Sequence, residues 1–259
     1  MSANKDFKLG SCQQKQVETW FASRLGQALL AQEQACLQEK AAALFGYHVV
    51  QIGAPSREFE LLKQCPARNR VILARGGEEP GIDLRADPRF LPLASDSIDG
   101  VVLPHTLDFS SDPHQLVREV ERVLIPEGKV LLSGFNPWSQ WGVGRLFRRR
   151  SGSMPWCSHF FSQKRVQDWF SLLGFDLEEV AYLHYRPPIH NQMVMQKLAF
   201  LEPLGQQAWP MLGGVYVMQA VKRTTTMTPI RMNRWRMKKR VLPTAAEPTT
   251  RSRIDDTIR

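Results

Sequence analysis

Asp99-Gly-Val-Val-Leu103, Asp112-Pro-His-Gln-Leu-Val-Arg-Glu-Val-Glu-Arg-Val-Leu124 and Lys129-Val-Leu-Leu-Ser133 follow one another within 35 residues and read as strand, helix, strand. Asp112 is placed to accept from the free N–H groups of a helix whose first residue, Pro113, has no N–H to lose. Leu116, Val117, Val120, Val123 and Leu124 then fall on one helical face, with Arg118, Glu119, Glu121 and Arg122 outward. Pro126-Glu-Gly128 ends the helix. A strand, a helix and a strand in this order join parallel strands by a right-handed crossover.

The same alternation continues in both directions. Upstream, Tyr47 to Ile52 reads as a first strand closed by the turn cluster Gly53-Ala-Pro-Ser56, with a helix from about Ser56 to Gln64. Arg70-Val-Ile-Leu73 suits a buried parallel strand, and Gly81 to Arg85 a shorter one. Downstream, Ser162 to Leu173 is a capped amphipathic helix ended by Gly174, and Phe175 to Tyr185 and Gly214 to Val221 read as two last strands. Between them, Asn136 to Cys157 reads as a loop in which Trp138, Trp141 and Trp156 flank Arg145-Leu-Phe-Arg-Arg-Arg150. Gln14 to Phe45 carries apolar residues at helical spacing and reads as one or two helices. The pattern predicts an α/β fold with a mostly parallel sheet covered on both faces. Its ligands bind at the carboxyl ends of the strands, the rim that Gly53, Asp87 and His105 share.

Charge is unevenly spread. Of the net +9, residues 222–259 hold eleven Lys/Arg against three Asp/Glu, a net +8, so about +1 is left for the rest. That divides the chain into a helical extension (1–40), a main domain (41–221) and a basic tail (222–259) too poor in apolar residues to fold alone. The tail and the Arg145–Arg150 run suit contact with RNA or another polyanion. No apolar run reaches membrane-spanning length and the start lacks a secretory core, so a cytoplasmic protein without a membrane span is expected. The four scattered cysteines form no Cys-x-x-Cys pair, and the histidines show no paired ligand spacing, so no metal is expected. A nicotinamide oxidoreductase would need Gly-x-Gly-x-x-Gly after the first strand, and Gly53-Ala-Pro-Ser-Arg-Glu58 does not supply it.

Asp87-Pro-Arg-Phe-Leu-Pro-Leu-Ala-Ser-Asp-Ser-Ile-Asp-Gly-Val-Val-Leu-Pro-His105, continued by Glu119-Val-Glu-Arg-Val-Leu-Ile-Pro-Glu-Gly128, resembles the type 11 class of S-adenosylmethionine-dependent methyltransferase domains. The resemblance is strong over about a third of the chain. It implies a seven-stranded Rossmann-like sheet, S-adenosylmethionine as cofactor, and methyl transfer to an acceptor, small molecule or RNA, that these residues do not identify. It further implies that Asp87 accepts from the adenine amino group, that Gly53 leaves room for the methionine end, and that His105 and Leu107 line the methyl-donor side. His105 or Asp108 is then the candidate general base.

The chain departs from that pattern in three places. Gln51-Ile-Gly-Ala-Pro-Ser56 has one glycine and no acid where the family shows several glycines and a carboxylate. Ala74-Arg75 stands where a carboxylate usually holds the ribose, leaving Glu78 or Glu79 to substitute. Pro88 lacks an N–H that other members turn to the adenine. Hydrogen bonds to charged groups are worth roughly 1.5–3 kcal/mol each, so these departures set an alternative expectation: a catalytically degenerate fold that binds a polyanion through its tail.

Overall fold

A computed structural model describes residues 16–53, 61–75, 81–148, 153–188 and 197–224. Within them lie α1 (Arg24–Ala41), β1 (His48–Ile52), β2 (Asn69–Ala74), β3 (Leu84–Arg85), β4 (Ile98–Pro104), α2 (Pro113–Val123), β5 (Leu124–Phe135), α3 (Gln140–Arg148), α4 (Gln163–Leu172), β6 (Phe175–Leu183), α5 (Leu201–Ala208) and β7 (Val215–Lys222). The strands form one seven-stranded sheet in the order β3-β2-β1-β4-β5-β7-β6. The first five run parallel, while β7 is antiparallel to both β5 and β6. The sheet is therefore mostly parallel with an antiparallel end, and β6 again points the same way as β5.

Strand periodicity builds two cores. Val49, Val102, Leu131, Phe135, Val215 and Val217 face one side, where Leu25, Leu29, Leu30, Leu37 and Ala41 of α1 cover them. Their neighbours Val50, Val101, Leu103, Val130, Leu132, Tyr216 and Met218 face the other, under Leu116, Val117, Val120 and Val123 of α2 and Val166 and Phe170 of α4. Alternate residues serve opposite faces because successive side chains on a strand point in opposite directions. Each Leu or Val buried in this way contributes roughly 1.5–3 kcal/mol relative to exposure.

Local chemistry explains the helix limits. Asp112 Oδ1 accepts from Gln115 N at 3.0 Å and Pro113 opens α2, while Ser162 Oγ accepts from Arg165 N at the start of α4. Gly174, at φ +82°, makes the left-handed exit from α4 and accepts from Arg223 N at 2.8 Å. The sequence reading differs from the structure in three described segments. Leu124 is extended and opens β5 instead of ending α2, pairing with Ile98 across the sheet. The expected loop from Asn136 contains α3, anchored by the buried Trp141, whose Nε1 donates to Arg186 O at 3.1 Å. Part of the helix expected over residues 56–64 is outside the described residues, and Leu61–Gln64 within it is a 3-10 turn. Most of the basic tail, residues 225–259, also lies outside them.

Candidate active-site rim

The carboxyl ends of β1, β3, β4, β5 and β6 share one edge of the sheet, and the three residues singled out from the sequence sit along it. Gly53 follows β1 directly. Its φ of +88° is costly for a side chain, and a Cβ there would meet Thr106 Oγ1 at 3.0 Å. Thr106 donates from that hydroxyl to Ile52 O, which ties the end of β1 to the turn after β4. Gln51 Nε2 adds a bond to Gly53 O at 3.1 Å.

Asp87 sits two residues beyond β3, in a loop that α2 holds in place. Arg122 Nη1 donates to Leu93 O and Nη2 to Leu91 O, both at 3.0 Å, while Glu119 Oε2 accepts from Leu91 N at 2.9 Å. Glu119 and Arg122, three apart on α2, therefore share one task. They pair with each other and with the loop that carries Asp87. The Asp87 carboxylate is itself fully engaged. Oδ1 accepts from Arg89 N and Nε, and Oδ2 from Arg75 Nη2 and Arg89 Nη2, both at 2.7 Å. Burial alone would raise its pKa, but the Arg89 hydrogen bonds and the charges of Arg75 and Arg89 hold it below the ordinary carboxylate range. Arg75, read from the sequence as a departure, is thus a partner of Asp87. Arg89 had no sequence signal beyond its position in the motif.

His105 ends β4 in a left-handed conformation, φ +52°, and is fully buried. Its ring lies between the sheet and α1. Nδ1 is 2.8 Å from Asp108 Oδ2 and Nε2 is 3.0 Å from Glu33 Oε2. With a carboxyl oxygen facing each ring nitrogen, the arrangement favours the doubly protonated imidazolium. Burial would lower its pKa, but the Glu33 charge and the hydrogen bonds of Asp108 and Glu33 raise it to about 10. The Phe135 ring lies tilted against the imidazole with centroids 4.2 Å apart, and Phe135 N donates to Asp108 Oδ2. Burial pushes the Asp108 carboxyl up, against the opposing pull of His105. Both ring nitrogens of His105 are thus engaged by carboxyl oxygens of the protein, and the side chain is buried. A ring whose pKa is raised to about 10 is a poor proton acceptor at neutral pH, which weighs against His105 as a general base.

The far half of the rim has a different character. His184 follows β6, also at positive φ, and is buried with Nδ1 2.9 Å from Gln32 Oε1. Burial, reinforced by the Arg186 charge, lowers its pKa to about 4, so it is neutral. Adjacent residues of α1, Gln32 and Glu33, thus reach the histidines that end β6 and β4. Asn136 Nδ2 donates to Met211 O at 2.8 Å and Gly213 O at 2.9 Å, and Tyr185 Oη to Pro210 O at 2.7 Å. These bonds bring the segment before α3, the turn after β6 and the turn before β7 together. No group of three or more metal-binding side chains occurs among the described residues.

Comparison with known proteins supports the architecture. Residues 38–132 match the model of the family described as "Methyltransferase domain". The chain is 36% identical over 144 residues to the uncharacterized protein YafS of Escherichia coli, covering 56% of this chain and 59% of that protein, so it spans about three-fifths of that relative. A crystal structure of an S-adenosylmethionine-dependent methyltransferase from Thermotoga maritima superposes with a TM-score of 0.55 at 16% identity, covering 76% of this chain and 92% of the other. One from Archaeoglobus fulgidus gives 0.51 at 16% identity, covering 73% and 92%. At these identities the structural likeness speaks for the fold.

Proposed function

We propose that this chain, which carries a class I methyltransferase domain and with it S-adenosylmethionine as cofactor, transfers a methyl group to an acceptor received on the β5–β7 side of the rim. The observation that carries this reading is the left-handed Gly53 directly after β1, on the same rim as an α2-anchored acidic loop after β3.

The residues fit the cofactor at one end and resist it at the other. At Gly53 the lack of a side chain keeps the turn open toward Thr106, as the amino-acid end of the cofactor would need. At Asp87 the four donors from Arg75 and Arg89 fill both oxygens, so accepting from an adenine amino group requires one guanidinium to let go. Arg75, at the end of β2, also sets a cation where the fold usually offers the ribose a carboxylate. When bound, the cofactor supplies a methyl group on a sulfonium. The chain's own part is alignment, which can account for much of such a reaction's rate. His105 and Asp108 hold the end of β4 in position from beneath, without exchanging a proton with substrate.

Titration calorimetry of the full chain with S-adenosylmethionine and its demethylated product tests the reading. Binding by the folded protein that weakens on Asp87→Ala supports it, and no heat from well-folded protein refutes it. Arg75→Gln, by freeing Asp87, is expected to tighten binding several-fold.

A further inference from the structure

Thirteen large apolar side chains are exposed among the described residues, and nine of them fall in two short segments of the far rim: Trp138, Val143, Leu146 and Phe147, and Phe200, Leu204, Trp209, Met211 and Leu212. In α3 the usual amphipathic order is inverted. Trp141 and Gly142 anchor the helix, while Val143, Leu146 and Phe147, at the i, i+3, i+4 spacing that normally faces a core, point to solvent, Leu146 79% and Phe147 84% exposed. The second segment is held against the first by the Asn136 bonds to Met211 O and Gly213 O. A monomer rarely leaves so much apolar surface in one place without a use for it.

The charge around these residues selects the occupant. The described residues of 136–161 contain Arg145 and Arg148 and no Asp or Glu, and residues 197–212 with 184–188 contain Arg186 and Lys197 against Glu202, which is paired to Arg186. Arg145 lies over the Phe160 ring and Arg148 over Trp156, so cations are seated directly beside the apolar stripe. We propose that this rim docks on the surface of an anionic lipid bilayer, with Leu146, Phe147 and Met211 entering the acyl boundary and Trp138, Trp209 and the arginines at headgroup level. A second copy of the chain fits less well, because an isologous contact would set this basic surface against itself. A nucleic acid would match the charge but offers nothing to Val143, Leu146, Leu204 and Leu212, which are not stacking groups. The contact proposed is peripheral, and no described helix is long and apolar enough to cross a membrane. The inference stands independently of methyl transfer.

The test uses the full chain and phosphatidylglycerol vesicles with acyl chains brominated near the headgroup, with phosphatidylcholine vesicles for comparison. The expected result is quenching of tryptophan emission on the anionic vesicles, reduced in Trp138→Phe. The double variant Leu146→Glu/Phe147→Glu should lose at least about tenfold in vesicle affinity, since membrane binding scales with buried apolar area, with an unchanged unfolding midpoint. Cosedimentation without quenching, equal in wild type and double variant, would assign the binding to the basic tail and overturn the proposal. Concentration-dependent self-association without vesicle binding would overturn it in favour of a copy interface.

Discussion

On the β1–β3 side of the rim, charge is closed upon itself: Arg75, Asp87 and Arg89 form a clasp, and Glu119 and Arg122 lock the loop that carries it. On the β5–β7 side, apolar groups face solvent with arginines among them. Between the two, the buried Glu33, His105 and Asp108 fasten α1 to the end of β4. The contrast teaches where each task is placed. A polar, internally bonded edge suits a ligand of fixed shape, whereas an apolar, basic edge suits a partner recognised by surface chemistry.

The largest way to break the comparison is at the fastening between its halves. Glu33→Gln removes one of the two carboxylates on the buried His105 and leaves Asp108 as its partner, a loss of about 1.5–3 kcal/mol for a charged hydrogen bond, measurable by urea unfolding. The pH dependence has a definite sign. Because the folded His105 pKa is raised to about 10, its stabilisation is complete below the unfolded value near 6.5 and is lost as pH rises through about 10. The stability difference between wild type and Glu33→Gln is therefore expected to shrink over that window.

Asp87→Ala acts on the polar edge alone. A charged hydrogen bond worth roughly 1.5–3 kcal/mol corresponds to a loss of about 10- to 150-fold in cofactor affinity, read by calorimetry. Gly53→Ala forces a side chain into φ +88° against Thr106, at about 1–2 kcal/mol of stability. Leu146→Glu/Phe147→Glu is the smallest in stability, within about 0.5 kcal/mol because both side chains are at the surface, so its effect should appear only in vesicle binding.

Legibility followed the same division. The β4–α2–β5 unit could be read because its cap, its N-terminal proline and its apolar face are local, and the Asp87 loop because its motif runs on into the helix; that Glu119 and Arg122, read as outward, hold that loop came only from the structure. Arg75 was visible as an oddity, but its partner lies twelve residues away across a loop, and spacing along the chain does not reveal that pairing. Glu33 gave no signal at all. It stands in a Gln- and Glu-rich helix that looks solvated, and meets His105 across 72 residues only once the sheet has formed. α3 was missed because Pro137, Gly142 and Gly144 read as loop punctuation, and because its apolar stripe serves no core. Local rules recover what neighbours along the chain decide. Buried polar pairs and outward apolar faces are decided by tertiary structure.

The most direct test of this division measures affinity for the demethylated cofactor product in two variants side by side, Asp87→Ala and Leu146→Glu/Phe147→Glu. At least about a tenfold loss in the first, with wild-type affinity in the second, is the predicted result. Equal affinities in both, or equal losses, would contradict the assignment of the cofactor to the polar edge.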